Sequence, residues 1–294
     1  MSVLPDTAAR SQNDPRHGIL FLITAMFFFV LMDTFAKHLM KEYSLVQVVW
    51  ARYFFHFAML AILLAPRLKS HLKTQNLTLQ LVRSLLLFIT TALFFLGLRF
   101  VPLADAAAMM YVAPIIVTAL SMPVLKEHVG PRRWAGVLIG FVGALIIIRP
   151  GTGAMQMAIL LPLAAALSYS FYPLSTRFLS QADPVLTTLF YTAMTGTLVT
   201  SLAVPFFWYQ TGAFEWALFA GLGIMGGIGH FALIKAFTIA PAATVVPFTY
   251  SNMIWAVSLG FLVFGDLPDI WTLVGAALIA ASGIYILHRE TAKG

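Results

Sequence analysis

Ten apolar runs recur between Ile19 and Leu287, most of them about as long as a lipid bilayer is thick. A hydrocarbon core about 30 Å across is spanned by roughly 20 helical residues. The runs are Ile19–Met40, Leu45–Leu64, Leu79–Leu98, Ala104–Leu125, Trp134–Ile148, Met155–Leu174, Val185–Trp208, Trp216–Phe237, Ala242–Phe264 and Ile270–Leu287. They lack the strict alternation of a transmembrane strand. Backbone groups in lipid must be satisfied within their own segment, so the runs predict helices. The expected fold is an all-α membrane protein with ten transmembrane helices. The fifth run is short and the first carries charge, which makes those two the least regular.

Composition supports this reading. Of 294 residues, 60% are hydrophobic and only 10% charged, with a mean hydropathy of +0.89. Soluble domains carry about 25% charged residues. Cysteine is absent, which excludes disulfides, thiol catalysis and cysteine-ligated metals. No histidine cluster has metal-ligand spacing, and no nucleotide-binding loop is present, so neither a metal, a cofactor nor direct ATP drive is expected. The formal charge of +7 resides in short loops, not in a basic stripe, so the expected partners are a lipid bilayer and a small-molecule substrate, with no nucleic acid. A monomer or weak dimer is expected.

The loop charges predict orientation. One side collects Arg10, Arg16, Arg67, Lys69, Lys73, Arg83, Lys126, Arg132, Arg133, Arg177, Lys235, Arg289 and Lys293. The other has Lys37, Lys41, Arg99 and Arg149, while Arg52 lies within a run. This bias puts both termini in the cytoplasm of a bacterial-type inner membrane. The run from Ile19 has no cleavage site after it and reads as a retained helix. The organisation expected is a cytoplasmic tail over 1–16, five-helix units over 17–150 and 151–288, and a cytoplasmic tail over 289–294.

Internal symmetry supports the two units. A shift of 139 residues places Pro102, Ala104, Tyr111, Ile115, Leu120, Val124 and Gly136 on Pro241, Ala243, Tyr250, Ile254, Leu259, Val263 and Gly275, and Glu127 on Asp266. Five helices is an odd number, so the second copy is expected upside down relative to the first. Inverted repeats of this kind are typical of secondary transporters.

The repeated positions also carry a family resemblance. Each half has an acidic residue followed by Gly, a Leu-Ile pair and Gly: Glu127, Gly136, Leu138-Ile139 and Gly143, then Asp266, Gly275, Leu278-Ile279 and Gly283. Each also has a helix end leading into a Pro-Leu-Ala or Pro-Ala-Ala step, at Pro102 and Pro241, and Arg52 sits early in the second helix. The chain resembles the EamA-type branch of the drug/metabolite transporter superfamily over nearly its whole length. Within it, the pattern is most similar to amino-acid exporters, with riboflavin, S-adenosylmethionine and cationic-drug carriers as alternatives. The resemblance implies ten helices around a central cavity, the fifth and tenth set to one side, and export of small amphipathic metabolites by alternating access. It does not imply an enzyme. A membrane-embedded enzyme would need a pair such as Ser251 with His230, and no Gly-x-Ser motif supports that.

Polar residues within the runs are the site candidates, because ionisable groups in lipid need a partner or a cavity. Asp33 and Arg52 each lie seven residues from the same membrane face. They are either a buried ion pair that fixes packing or a coupling site for a proton or a substrate ammonium. His230, in a glycine-rich run, is either a packing histidine or a cavity-lining group. Pro114 and Pro247 interrupt corresponding helices, the usual mark of a transporter site. Near them, Tyr111, Tyr250, Ser251 and Asn252 are expected to hydrogen-bond substrate, with Thr91 at similar depth and Tyr169 adding an aromatic wall. Helix–helix polar contacts are the alternative for all of these.

Overall fold

The computed structural model describes residues 15–67, 72–125, 131–149, 157–179, 183–240 and 245–291. Most of the expected N-terminal tail, half of the expected C-terminal one, Glu127 of the repeated motif and the step at Pro241, Ala242 and Ala243 lie outside these residues. The described residues form ten helices and no strand.

Local chemistry explains where the helices start and break. Helix α1 spans Pro15–Leu39 and opens on proline, whose fixed φ and missing N–H suit the first helical position. Helix α2, Leu45–Leu64, is capped by Ser44, whose hydroxyl accepts from the Gln47 N–H at 3.1 Å. Helix α3, Leu77–Leu98, is capped in the same way by Asn76 on Leu79 at 3.0 Å. Helix α4 is in two pieces, Leu103–Met110 and Val112–Leu125, broken at Tyr111. Pro114 supplies no N–H for the carbonyl four residues back, at Met110, so the α ladder lapses there.

Helix α5 spans Pro131–Ile148, α6 Leu160–Leu179, α7 Val185–Ala203 and α8 Ala213–Ile239. Helix α9 departs from expectation. Its regular part is only Ser251–Leu259, preceded by a 3-10 turn over Val246–Tyr250 and followed by a π turn over Gly260–Phe264. Pro247 stands in this 3-10 turn, preceded by helical Val245, so the backbone tightens where the proline interrupts the run. Gly265, at φ +72°, ends the π turn in the left-handed conformation that favours glycine. Helix α10 is Ile270–Thr291. Helices α1, α2, α3 and α8, and α7 together with the 3-10 turn Val204–Phe207 that continues it, contain spans of 20 to 24 residues apolar enough to cross a membrane, and the other five have apolar stretches of 10–17 residues.

The 139-residue offset reappears in the helix boundaries. Val112 and Ser251 both begin helices, as do Pro131 and Ile270. Packing follows the same rule. The α1–α8 interface has its counterpart in α3–α6, α2–α8 in α3–α7, and α1–α9 in α4–α6, while α2–α7 and α5–α10 are their own counterparts. Exchanging the halves carries each of these interfaces into another of them or into itself, whereas the α4–α5 interface has no counterpart of similar extent.

Helices α5 and α10 pair closely. A Cβ on Gly275 would lie 2.6 Å from the Gly143 carbonyl oxygen and 2.5 Å from Ile147 Cγ1. Ser282 donates to the Gly136 carbonyl at 2.5 Å across the same seam. The outer face of α5 exposes Leu138, Phe141 and Val142, an apolar face suited to lipid. Gly275→Val is expected to destabilise the protein by about 1–3 kcal/mol through overpacking. The check is the melting temperature in detergent; an unchanged value would mean that the two backbones do not meet there.

Candidate functional site

Helix α2 places Arg52 and His56 four residues apart, hence on one face. Both are buried, at 5% and 3% exposure. The His56 ring stacks on His230 of α8, with centroids 5.8 Å apart and planes 10° from parallel, and Phe29 of α1 meets His230 edge-on at 4.9 Å. Glycines in α8 allow this approach: a Cβ on Gly223 would lie 2.9 Å from the His56 backbone nitrogen. The glycine-rich run of α8 thus packs against α1 and α2 as small residues do.

The Arg52 guanidinium lies over the Tyr53 ring at 4.6 Å. Its Nε and Nη1, and His56 Nε2, have no hydrogen-bond partner among the described residues. Asp33 of α1 is buried and within electrostatic reach of Arg52, yet no ion pair joins the two. The expected proximity is present without the contact, and the cation rests on an aromatic face instead.

A second buried cation belongs to the same group. Arg83 in α3 is 4% exposed, although its position near a run's start placed it among the loop charges. It donates to the Thr192 hydroxyl at 2.8 Å and to the Tyr172 hydroxyl, and lies over the Tyr172 ring at 4.1 Å. Tyr172 stacks on Tyr169 at 5.7 Å. The two cations are linked through side chains: Arg52 rests on Tyr53, whose hydroxyl bonds Thr91 on the buried stripe of α3 that carries Arg83, and both lie within electrostatic reach of His230. The signal that could have found Arg83 is periodicity. Gln80, Arg83, Ser84, Leu87 and Thr91 recur at helical spacing and are all buried, which makes a polar stripe facing inward. Thr91 sits on that stripe, bonded to the Tyr53 hydroxyl at 3.0 Å. At the 139-residue offset, Asp33 corresponds to Tyr172 and Thr91 to His230, so the cluster draws on equivalent positions of both halves.

The remaining candidates form a separate group. The Tyr111 hydroxyl donates to the Tyr250 carbonyl at 3.2 Å, and the rings meet edge-on at 4.9 Å. The Tyr250 hydroxyl points towards α10, where a Cβ on Gly283 would lie 2.0 Å from it. Ser251 Oγ has no partner among the described residues, and Asn252 is half-buried beside it. No hydrogen bond joins Ser251 to His230. No group of three or more His, Asp or Glu residues able to hold a metal ion occurs among the described residues.

Polar networks close both ends of the bundle. At one end Lys37 pairs with Asp266 at 2.8 Å and donates to the Val101 carbonyl at 2.9 Å. At the other, Asp183 before α7 accepts from Thr74, from the Gln75 backbone at 3.0 Å and from Gln80 at 2.8 Å. Burial pushes the Asp183 carboxyl up, but these hydrogen bonds outweigh it and hold the group below the usual carboxylate range.

Comparison with known proteins adds relatives. The profile of the EamA-like transporter family matches residues 16–149 and again 156–288. A riboflavin transporter of Vibrio cholerae is 31% identical over 96% of both chains. An S-adenosylmethionine uptake transporter of Rickettsia prowazekii is 26% identical over 93% of both. A pseudopaline exporter of Pseudomonas aeruginosa is 25% identical over 95% of this chain and 98% of the other. One solved crystal structure shares the fold, with a TM-score of 0.66 at 18% identity, over 94% of this chain and 99% of that one.

The Asp183 network has a defined pH dependence. A carboxylate held below its ordinary pKa contributes stability above that ordinary value and loses it as pH falls through the lowered one. The melting-temperature gap between wild type and Asp183→Asn is therefore expected to be constant from pH 8 to about 5, and to close below about pH 4. A gap that closed between pH 6 and 8 would contradict this.

Proposed function

The chain belongs to the EamA-like transporter family, and from that premise we propose that it carries riboflavin across a bacterial inner membrane by alternating access. The observation behind this reading is the buried cluster of two guanidinium groups, a single carboxyl and flat ring faces. Riboflavin is neutral, flat and rimmed by acceptor atoms. Its ring system suits the Tyr169–Tyr172 and His56–His230 planes, and its acceptors suit Arg52 and Arg83. Thr91, on the buried stripe of α3 that also carries Arg83, offers a hydroxyl to the polyol side chain. In this reading both termini are cytoplasmic, the halves are inverted repeats, and they rock about the cluster. Asp33 is a site for a coupling proton.

S-adenosylmethionine is the second reading, favoured by the relatives that carry it. Its sulfonium cation is less suited to a core with two arginines, since like charges at low dielectric repel strongly. Amino-acid export, the leading expectation from sequence, finds no support in the names of the relatives above. Membrane transport of a small molecule stands; the substrate class moves towards the alternatives.

Counterflow in proteoliposomes tests this. Labelled riboflavin is expected to accumulate above empty vesicles, with S-adenosylmethionine and amino acids near background. No riboflavin uptake would overturn the reading. Stacking of a flat ring on an aromatic side chain is worth about 1–3 kcal/mol. Tyr169→Ala is therefore expected to weaken riboflavin binding about five- to hundredfold, followed by quenching of flavin fluorescence.

A further inference from the structure

Arg52 carries more unanswered donors than any other group in the cluster. Arg83 is answered by Thr192 and Tyr172. Lys37 is answered by Asp266 and the Val101 carbonyl. Arg52 is as deeply buried as Arg83, yet Nε and Nη1 both lack an acceptor. A guanidinium offers two forks, Nε with Nη2 and Nη1 with Nη2, so each fork retains at least one unsatisfied N–H. His56 Nε2, one turn along the same face, is unsatisfied too. Buried polar groups are almost always paired, and each exception calls for an explanation. Asp33 is within electrostatic reach but does not supply the pairing.

We propose that Arg52 and His56 form a subsite for a planar pair of acceptor atoms on the substrate, either the N1–C2=O edge of an isoalloxazine ring or a carboxylate. The fork of an arginine matches two coplanar acceptors in a way that a lysine ammonium does not. His56 Nε2 meets the next polar atom along the ring edge. The Tyr53 ring supports the guanidinium from one face and leaves its edges for the substrate. In this conformation Nε and Nη1 are covered, so the substrate reaches them as the halves move apart. A site built to bond an acceptor discriminates against analogues that lack it, because its own donors are then left unpaired. The subsite rests on the transport function proposed above and specifies how that substrate is recognised.

The test uses the full chain reconstituted in liposomes and two pairs of probes. One pair is riboflavin and 1-deazariboflavin, in which C–H replaces the N1 acceptor. The other is S-adenosylmethionine and its decarboxylated form. Wild type is expected to prefer riboflavin by about tenfold or more, and Arg52→Gln to bind the two flavins alike. Arg52→Lys, which keeps the charge but loses the fork, is expected to lose most of the preference as well. Each preference is a ratio within one protein, so it does not depend on how much of a variant folds. Equal binding of both flavins by wild type, or a preference that survives in Arg52→Gln, overturns the subsite while riboflavin transport stands. If wild type takes up S-adenosylmethionine but no riboflavin, and prefers it to the decarboxylated form only when Arg52 is present, the riboflavin reading falls and the subsite stands for a carboxylate. Uptake of neither compound overturns both.

Discussion

Burying a guanidinium away from water is the costly act around which this structure is arranged. In lipid no solvent shell can rescue an unpaired cation, so each arginine that enters the bundle has to be met by protein. Arg83 shows how this is done. One residue on α3 recruits Thr192 from α7 and Tyr172 from α6, and so fixes three helices relative to one another. The aromatic face of Tyr172 and its stacked neighbour Tyr169 then form a flat wall where most membrane helices carry aliphatic side chains. Arg52 imposes the same demand from α2, and the answer it receives is an aromatic face without an acceptor.

The close approach of α8 makes the rest of that cluster possible. Gly223 and Gly227 remove the side chains that would hold α8 away from α2, and Met59 and His56 occupy the space. His230 thereby reaches His56 although 174 positions separate them in the chain. Two histidines that look isolated in the sequence become one stacked pair.

Much of the fold was legible because lipid permits few solutions. Once helices are required, run length and loop charge leave little freedom, and all ten runs correspond to helices. The 139-residue offset survived to the level of helix starts at Val112 and Ser251. What failed was local. Helix α9 is helical from Val245 to Phe264, but apolar composition cannot distinguish α from 3-10 or π backbone, and the 3-10 turn at Val246–Tyr250 depends on where Pro247 falls within it. The site was only partly legible. Tyr169, Thr91, His230, Asp33 and Arg52 belong to one neighbourhood, whereas Tyr111 and Tyr250 meet each other, with Ser251 and Asn252 next to Tyr250 at the start of the regular part of α9. Arg83 escaped notice because a cation near the end of an apolar run is usually in the headgroup region, and only its register with Gln80, Ser84 and Thr91 says otherwise.

The breaks in α4 and α9 fall at equivalent tyrosines, and the hydroxyl of Tyr111 reaches across to the Tyr250 carbonyl. The irregular backbone of one half is thus stapled by a side chain from the other. The second half expressed by itself would keep its discontinuity and lose the hydroxyl that secures it. The turn of the second half thus depends on a side chain of the first, and the edge-on ring contact is the part of the staple that both tyrosines share.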